Sequence, residues 1–238
     1  MNEPVRKGDA ADIGQIALVG LFVTALATAQ VTASKLLAFG IPISLPHTGE
    51  ALILPGAALA YALTFFASDC YSELYGRRAA TAMVNVGFAM NFVVLVLVWS
   101  TIASPVAGNS AVAADTFETV LGASTNIVVG SLLAYVVSQN WDVYVFHRLR
   151  EATDGESLWL RNILSTATSQ AIDTVIFVSV AFYVAPRAFG VGGDLPVSVI
   201  FALIVGQYVF KLLVAVVDTP FVYAVVSLVE QYEAERSE

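Results

Sequence analysis

With 58% of its 238 residues hydrophobic and only 13% charged, and a mean hydropathy of +0.77, the chain is too apolar for an ordinary soluble domain. Its formal net charge of −8 argues against a nucleic-acid partner, and the single Cys70 excludes an intramolecular disulfide and a cysteine-built metal cluster. The composition points to an all-α, polytopic membrane protein whose first partner is the lipid bilayer.

A helix needs about 20 apolar residues to cross a bilayer, and six such runs follow one another at 13–37, 52–74, 80–103, 117–141, 162–184 and 197–220. Together they make a single domain over 1–238, a bundle of six transmembrane helices with short tails. The first run is too long for a signal peptide, its charged leader also contains acids, and no small-residue cleavage site precedes a soluble domain, so it is read as a retained helix. The connections at 39–49, 104–110 and 186–196 are short and marked by Gly, Pro and Ser. The longest, 142–161, is expected to extend the fourth helix before a polar turn at 153–157. Nowhere is there room for a nucleotide-binding domain. Any energy source must therefore be a substrate gradient, an ion gradient or a separate subunit.

Basic residues give the orientation. Arg6 and Lys7, Arg77 and Arg78, Arg148, Arg150 and Arg161, and Arg236 all fall on one side, whereas Arg187 is the only loop cation on the other. Positive charge tends to stay in the cytoplasm, which predicts cytoplasmic termini in a multi-pass protein of the cell membrane. Trp99, Trp141 and Trp159 sit near predicted span ends, as an interfacial aromatic belt would place them.

The polar residues inside the spans carry the functional signal, because a carboxylate at a bilayer centre costs about 2.5–3.5 kcal/mol and so faces a protein interior, a cavity or a partner. Lys35, near the outer end of the first span, can snorkel to the interface. The second span ends in Asp69, Glu73 and Arg77, four residues apart; Glu73 and Arg77 read as an ordinary helix pair, Asp69 as a contact to substrate or gate. Asn85, Asn91 and Asn126 read as helix-packing contacts.

The fourth and fifth spans share a signature: Ser138, Gln139 and Asp142 followed by Phe146, and Ser169, Gln170 and Asp173 followed by Phe177. The doubling suggests an internal repeat, although Asp142 falls near the end of its span and Asp173 about halfway through the next, which does not suit a simple inverted repeat. Ser169, Gln170 and Asp173 share a helical face, and an amide beside a carboxylate matches the edge of a heterocycle that presents N–H groups next to a carbonyl. The competing explanation is interhelical glue. On the sixth span Gln207, Lys211 and Asp218 share a face, with Lys211 and Asp218 about 10 Å apart along the axis, too far to pair. Lys211 is expected to find an acid on another helix, and Asp173 matches it in depth. Pro220 suggests a kink or hinge.

Two enzyme readings fail on spacing. The glycines of an intramembrane aspartyl protease are missing around Asp173 and Asp218, and the two histidines, His47 and His147, are predicted on opposite sides, which leaves a metal-dependent hydrolase little to bind with. The expectation is a non-enzyme without cofactor or metal.

Read in order, Ser68-Asp69-Cys70-Tyr71-Ser72-Glu73-Leu74-Tyr75-Gly76, Ser138-Gln139-Asn140-Trp141-Asp142, the stretch from Asn162 to Thr174, and the stretch from Lys211 to Pro220 resemble the queuosine precursor transporter family, also called the vitamin uptake transporter family. The resemblance runs from Ile13 to Val229. It implies a six-helix inner-membrane carrier for a small-molecule substrate, a 7-deazaguanine such as 7-cyano-7-deazaguanine, on the way to queuosine or archaeosine. It also implies substrate-binding positions at Asp69, Glu73, Gln139, Asp142, Gln170, Asp173, Lys211 and Asp218. On that basis Asp173 and Gln170, with Gln139 or Asp142, would hydrogen-bond the guanine-like edge, Lys211 would balance the acids, and Phe177 or Tyr208 would stack on the ring. Alternatives from other classes are a binding subunit of a multi-component vitamin importer and an intramembrane enzyme. A homo-oligomer is compatible with the sequence.

Overall fold

A computed structural model describes residues 9–45, 48–153, 158–193 and 195–235. Lipid cannot hydrogen-bond a peptide group, so the apolar runs satisfy their backbones internally as helices: α1 (Asp9–Thr32), α2 (Ala57–Tyr75), α3 (Arg77–Ile102), α4 (Ala114–Gly122), α5 (Ser124–Ala152), α6 (Leu158–Ser179), α7 (Ala185–Phe189) and α8 (Val197–Glu235). Their hydroxyls are hidden the same way, as where Thr28 and Thr32 donate to the carbonyls of Thr24 and Thr28 at 2.8 Å each. Five segments, Gly14–Thr32, Arg77–Ile102, Ala114–Ala152, Ile163–Phe189 and Val197–Val229, are long and apolar enough to cross a membrane. With α2 as the sixth member, the architecture is the expected all-α membrane bundle.

Several boundaries differ from the sequence reading. The first two spans do not run into each other through a loop: Leu36–Leu45 and Gly49–Pro55 form an antiparallel hairpin, β1 and β2, with Leu36 opposite Pro55 and an irregularity between Gly40 and Leu45. Leu52–Pro55, read as the start of the second helix, is strand, and α2 begins only at Ala57. Leu52, Leu54 and Pro55 are buried, and Ile53 lies against α8 so closely that a Cβ on Gly206 would collide with its carbonyl. An open strand edge is tolerated at membrane depth only where protein covers it. The hairpin base thus replaces the first part of the expected second span.

The fourth span is two helices broken at Ala123, held to the loop before α8 by Asn126, whose Nδ2 donates to the Val191 carbonyl at 2.6 Å. The fifth passes from α6 into α7 through one π turn, Val180–Val184, beside Gly130 of α5, where a Cβ would stand 2.9 Å from that of Ala181. The sixth runs through Pro220 as one helix of 39 residues. Between α2 and α3, Gly76 takes φ 84°, a conformation that favours glycine. The turn separates Glu73 and Arg77 onto different helices, so the expected helix pair is not formed, and Arg77 opens α3 rather than closing α2.

One end of the bundle, the terminus end, brings Gly14 of α1 against Tyr75 of α2 and packs Val222 and Val225 of α8 beside Leu18 and Tyr71. The hairpin marks the other. At the hairpin end the core is Ala29, Ala33, Ala57 and Ile127 with Val178, Ala181 and Leu203, small residues that let the backbones approach.

Candidate functional site

The doubled signature becomes geometry at the α5–α6 interface. The two helices run antiparallel, and each serine reaches the other copy's aspartate: Ser138 Oγ to Asp173 Oδ1 at 3.4 Å, Ser169 Oγ to Asp142 Oδ1 at 3.3 Å. The copies are therefore related by a local twofold across this interface. The depth difference inferred from sequence is one helical turn, about 6 Å, and does not count against an inverted relation.

Among the described residues, only one of the two aspartates has a cation. Lys211 Nζ of α8 donates to Asp173 Oδ2 at 2.6 Å, with the side chains 11% and 26% exposed. Lys211 stands about 21 Å into α8 from Val197, at 1.5 Å per residue, which is mid-depth in the bundle. The pair therefore lies where water is scarce and a charge is least tolerated without its partner.

Two cavities meet at this pair. The deep one, about 240 Å³, lies toward the hairpin end and is lined by Ser138, Gln139, Gln170, Asp173, Gln207 and Lys211, with aromatic walls from Phe22, Phe65, Phe88, Tyr135 and Phe177. Tyr61 closes a side of it, sharing a 3.1 Å hydrogen bond with Ser131 and an edge-on contact with Phe177. Apolar flat walls with a few convergent polar groups are what a planar heterocycle needs. The broad one, about 800 Å³, extends toward the terminus end between α2, α6 and α8 and is lined by Asp69, Ser72, Glu73, Thr166, Gln170, Lys211, Asp218 and Thr219. Phe65, Gln170 and Lys211 belong to both, so they form the wall between the cavities.

Of the eight candidates, Gln139, Gln170, Asp173 and Lys211 meet in the deep cavity, and Asp69, Glu73 and Asp218 join Gln170 and Lys211 in the broad one. Asp142 lines neither and is held by Ser169. Ser169 likewise turns to α5 rather than sharing the cavity face of Gln170 and Asp173. Phe177 does form a wall, whereas Tyr208 points elsewhere, its hydroxyl donating to the Ala167 carbonyl at 3.3 Å. Asn85 accepts from Tyr135 at 3.2 Å. His47 lies outside the described residues.

Sequence reasoning missed Tyr61, Ser131, Phe22, Phe65 and Phe88, because an aromatic or serine inside a span is unremarkable until its neighbours are known. Gln207 carried a signal, a lone amide one turn from Lys211, yet was placed only on that helical face.

A helical membrane bundle with a mid-depth charge pair between two polar-lined cavities belongs to the class of solute carriers in architecture. The comparisons narrow the class. Residues 55–225 match the family model described as "Putative vitamin uptake transporter". The chain is 33% identical over 174 residues, 73% of its length and 72% of the relative's, to the "Probable queuosine precursor transporter" of Bacillus subtilis (strain 168). It is 32% identical over 91 residues, 38% of its length and 37% of the relative's, to the "Queuosine precursor transporter" of Escherichia coli (strain K12). No solved structure matches it significantly. The chain belongs to the vitamin uptake transporter family, also known for queuosine precursor transporters.

Proposed function

We propose that the chain imports a queuosine or archaeosine precursor, 7-cyano-7-deazaguanine or a related 7-deazaguanine base, across the cell membrane, and that it is not an enzyme. The observation that carries this reading is the Asp173–Lys211 pair at the aromatic-walled cavity; both named relatives are described as queuosine precursor transporters. A guanine-like edge offers two N–H donors beside a carbonyl. Asp173 accepts from the donors, Lys211 donates to the carbonyl, and the amides of Gln139 and Gln170 complete the set, so each polar atom of the desolvated base has a partner. The base lies against Phe177.

In this reading the terminus end faces the cytoplasm, as the basic loops favour, and the broad cavity is the release path. Asp69, Glu73 and Asp218 meet the base in passing there, and Asp142 acts through Ser169 to hold the α5–α6 register. The test is uptake of labelled 7-cyano-7-deazaguanine by cells that cannot make it, at equal membrane abundance of wild type, Asp173→Asn and Lys211→Met. Each substitution is expected to lower uptake at least about tenfold, since each leaves a buried group of the base or the protein unpaired. Unchanged uptake by both rejects the site, and uptake in a heterologous host without added subunits separates a self-sufficient carrier from a binding subunit.

A further inference from the structure

We propose that Gln207 is a specificity-determining residue that reads the ring N–H on the far edge of the base, so that the carrier selects the free base over forms substituted at that nitrogen. The assignment rests on the deazaguanine reading above. Gln207 is 6% exposed, lines the deep cavity, and its Oε1 is buried without a hydrogen-bond partner among the described residues. A buried amide carbonyl left unpaired destabilises the protein, and such an orphan facing a cavity is explained by a donor that arrives with the ligand.

The position of the orphan says which donor. Gln207 precedes Lys211 by one turn, about 6 Å of rise toward the hairpin end. The Asp173–Lys211 pair holds the six-membered ring's edge, so the opposite edge of a fused bicycle falls at Gln207. In 7-cyano-7-deazaguanine that edge presents one pyrrole N–H and no other donor, which suits a carbonyl. Substitution at that nitrogen removes the N–H, and the wall of the cavity of about 240 Å³ includes Tyr61 and Ser131, tied together by a hydrogen bond.

The experiment is competition against labelled 7-cyano-7-deazaguanine in cells expressing the full chain, using the unlabelled base and an isostere in which a ring oxygen replaces the pyrrole N–H. The isostere keeps the shape and removes only the donor. Wild type is expected to prefer the base by at least about tenfold. In Gln207→Leu, which removes both amide groups at similar volume, the two compete equally within about twofold, and the ligand-free purified variant melts at a higher temperature because the orphan is gone. Gln207→Glu keeps an acceptor and keeps the preference. A folded Gln207→Leu that binds neither compound while Gln207→Glu binds the base also supports the assignment. A wild type without preference, a Gln207→Leu that retains it, or a Gln207→Glu that loses it as Gln207→Leu does, overturns the assignment alone. A wild type that takes up no base overturns the deazaguanine reading and this role together.

Discussion

The two halves of the bundle are built on opposite principles. Toward the hairpin end, small residues and glycines bring backbones into contact, β2 packs on α8 at Gly206 next to Gln207, and the cavity is narrow with neutral amides in its lining. Toward the terminus end the helices stand apart around a space more than three times larger, and the ionisable groups are Asp69, Glu73 and Asp218 with Lys211 at the boundary. In the proposed carrier, tight packing on one side and a chamber on the other would leave one access path closed and the other open. The charge pair sits where the two regimes meet, so a substrate that displaces Lys211 from Asp173 acts on both halves.

The largest effect is expected from crowding the tightly packed half. Gly206→Val places a side chain where the Ile53 carbonyl already is, and because neither a strand base nor a helix backbone yields cheaply, a loss of about 3 kcal/mol is expected. Thermal unfolding in detergent checks it, with Gly20→Ala as the control, since a Cβ there meets nothing within 4 Å. Equal behaviour of the two variants would mean that β2 does not press on α8 at Gly206. Next comes the boundary. Lys211→Met strands Asp173 with only the long bond from Ser138, and a loss of about 2 kcal/mol is expected, below the value for a fully buried pair because Asp173 is 26% exposed. Adding Asp173→Asn to Lys211→Met is expected to restore most of the stability and none of the uptake. A double-mutant cycle without coupling breaks the claim that the pair acts as one unit.

Much of this organisation was legible in the residues. Apolar length dictated the helices, because the bilayer leaves a backbone no other solution, and the depth match of Lys211 and Asp173 could be read from helical rise alone. The hairpin was not legible: Leu36, Leu37, Leu52 and Leu54 are as apolar as the helices they adjoin, and hydrophobicity cannot distinguish a covered strand from a buried helix end. The pairing of Glu73 with Arg77 was misread for a local reason, since a single Gly76 at positive φ cancels a four-residue spacing. The repeated Ser-Gln-x-x-Asp was legible as a pattern but not as a contact, because reciprocity between two antiparallel helices exists only once their register is fixed. Within it, Ser138→Ala is expected to lose about 1 kcal/mol and Ser169→Ala about 0.5 kcal/mol by thermal unfolding, because only Ser138 supports an aspartate that also carries an ion pair.

The smallest effect is expected in the chamber. Asp218 shares the chamber with Asp69 and Glu73, and among the described residues its Oδ2 has no hydrogen-bond partner. Asp218→Asn removes one of three like charges and keeps an amide oxygen that can accept from the nearby backbone N–H groups, so stability should change by no more than about 0.5 kcal/mol. Uptake should fall less than about threefold, because a group met in passing contributes little to the bound complex. The contrast with Asp173→Asn is the measurement that matters, since both substitutions neutralise an aspartate inside the bundle, one ion-paired at the boundary and one in the chamber. If Asp218→Asn loses as much uptake as Asp173→Asn, the chamber binds the base as the deep cavity does, and the boundary at Lys211 separates two sites instead of a site and its exit.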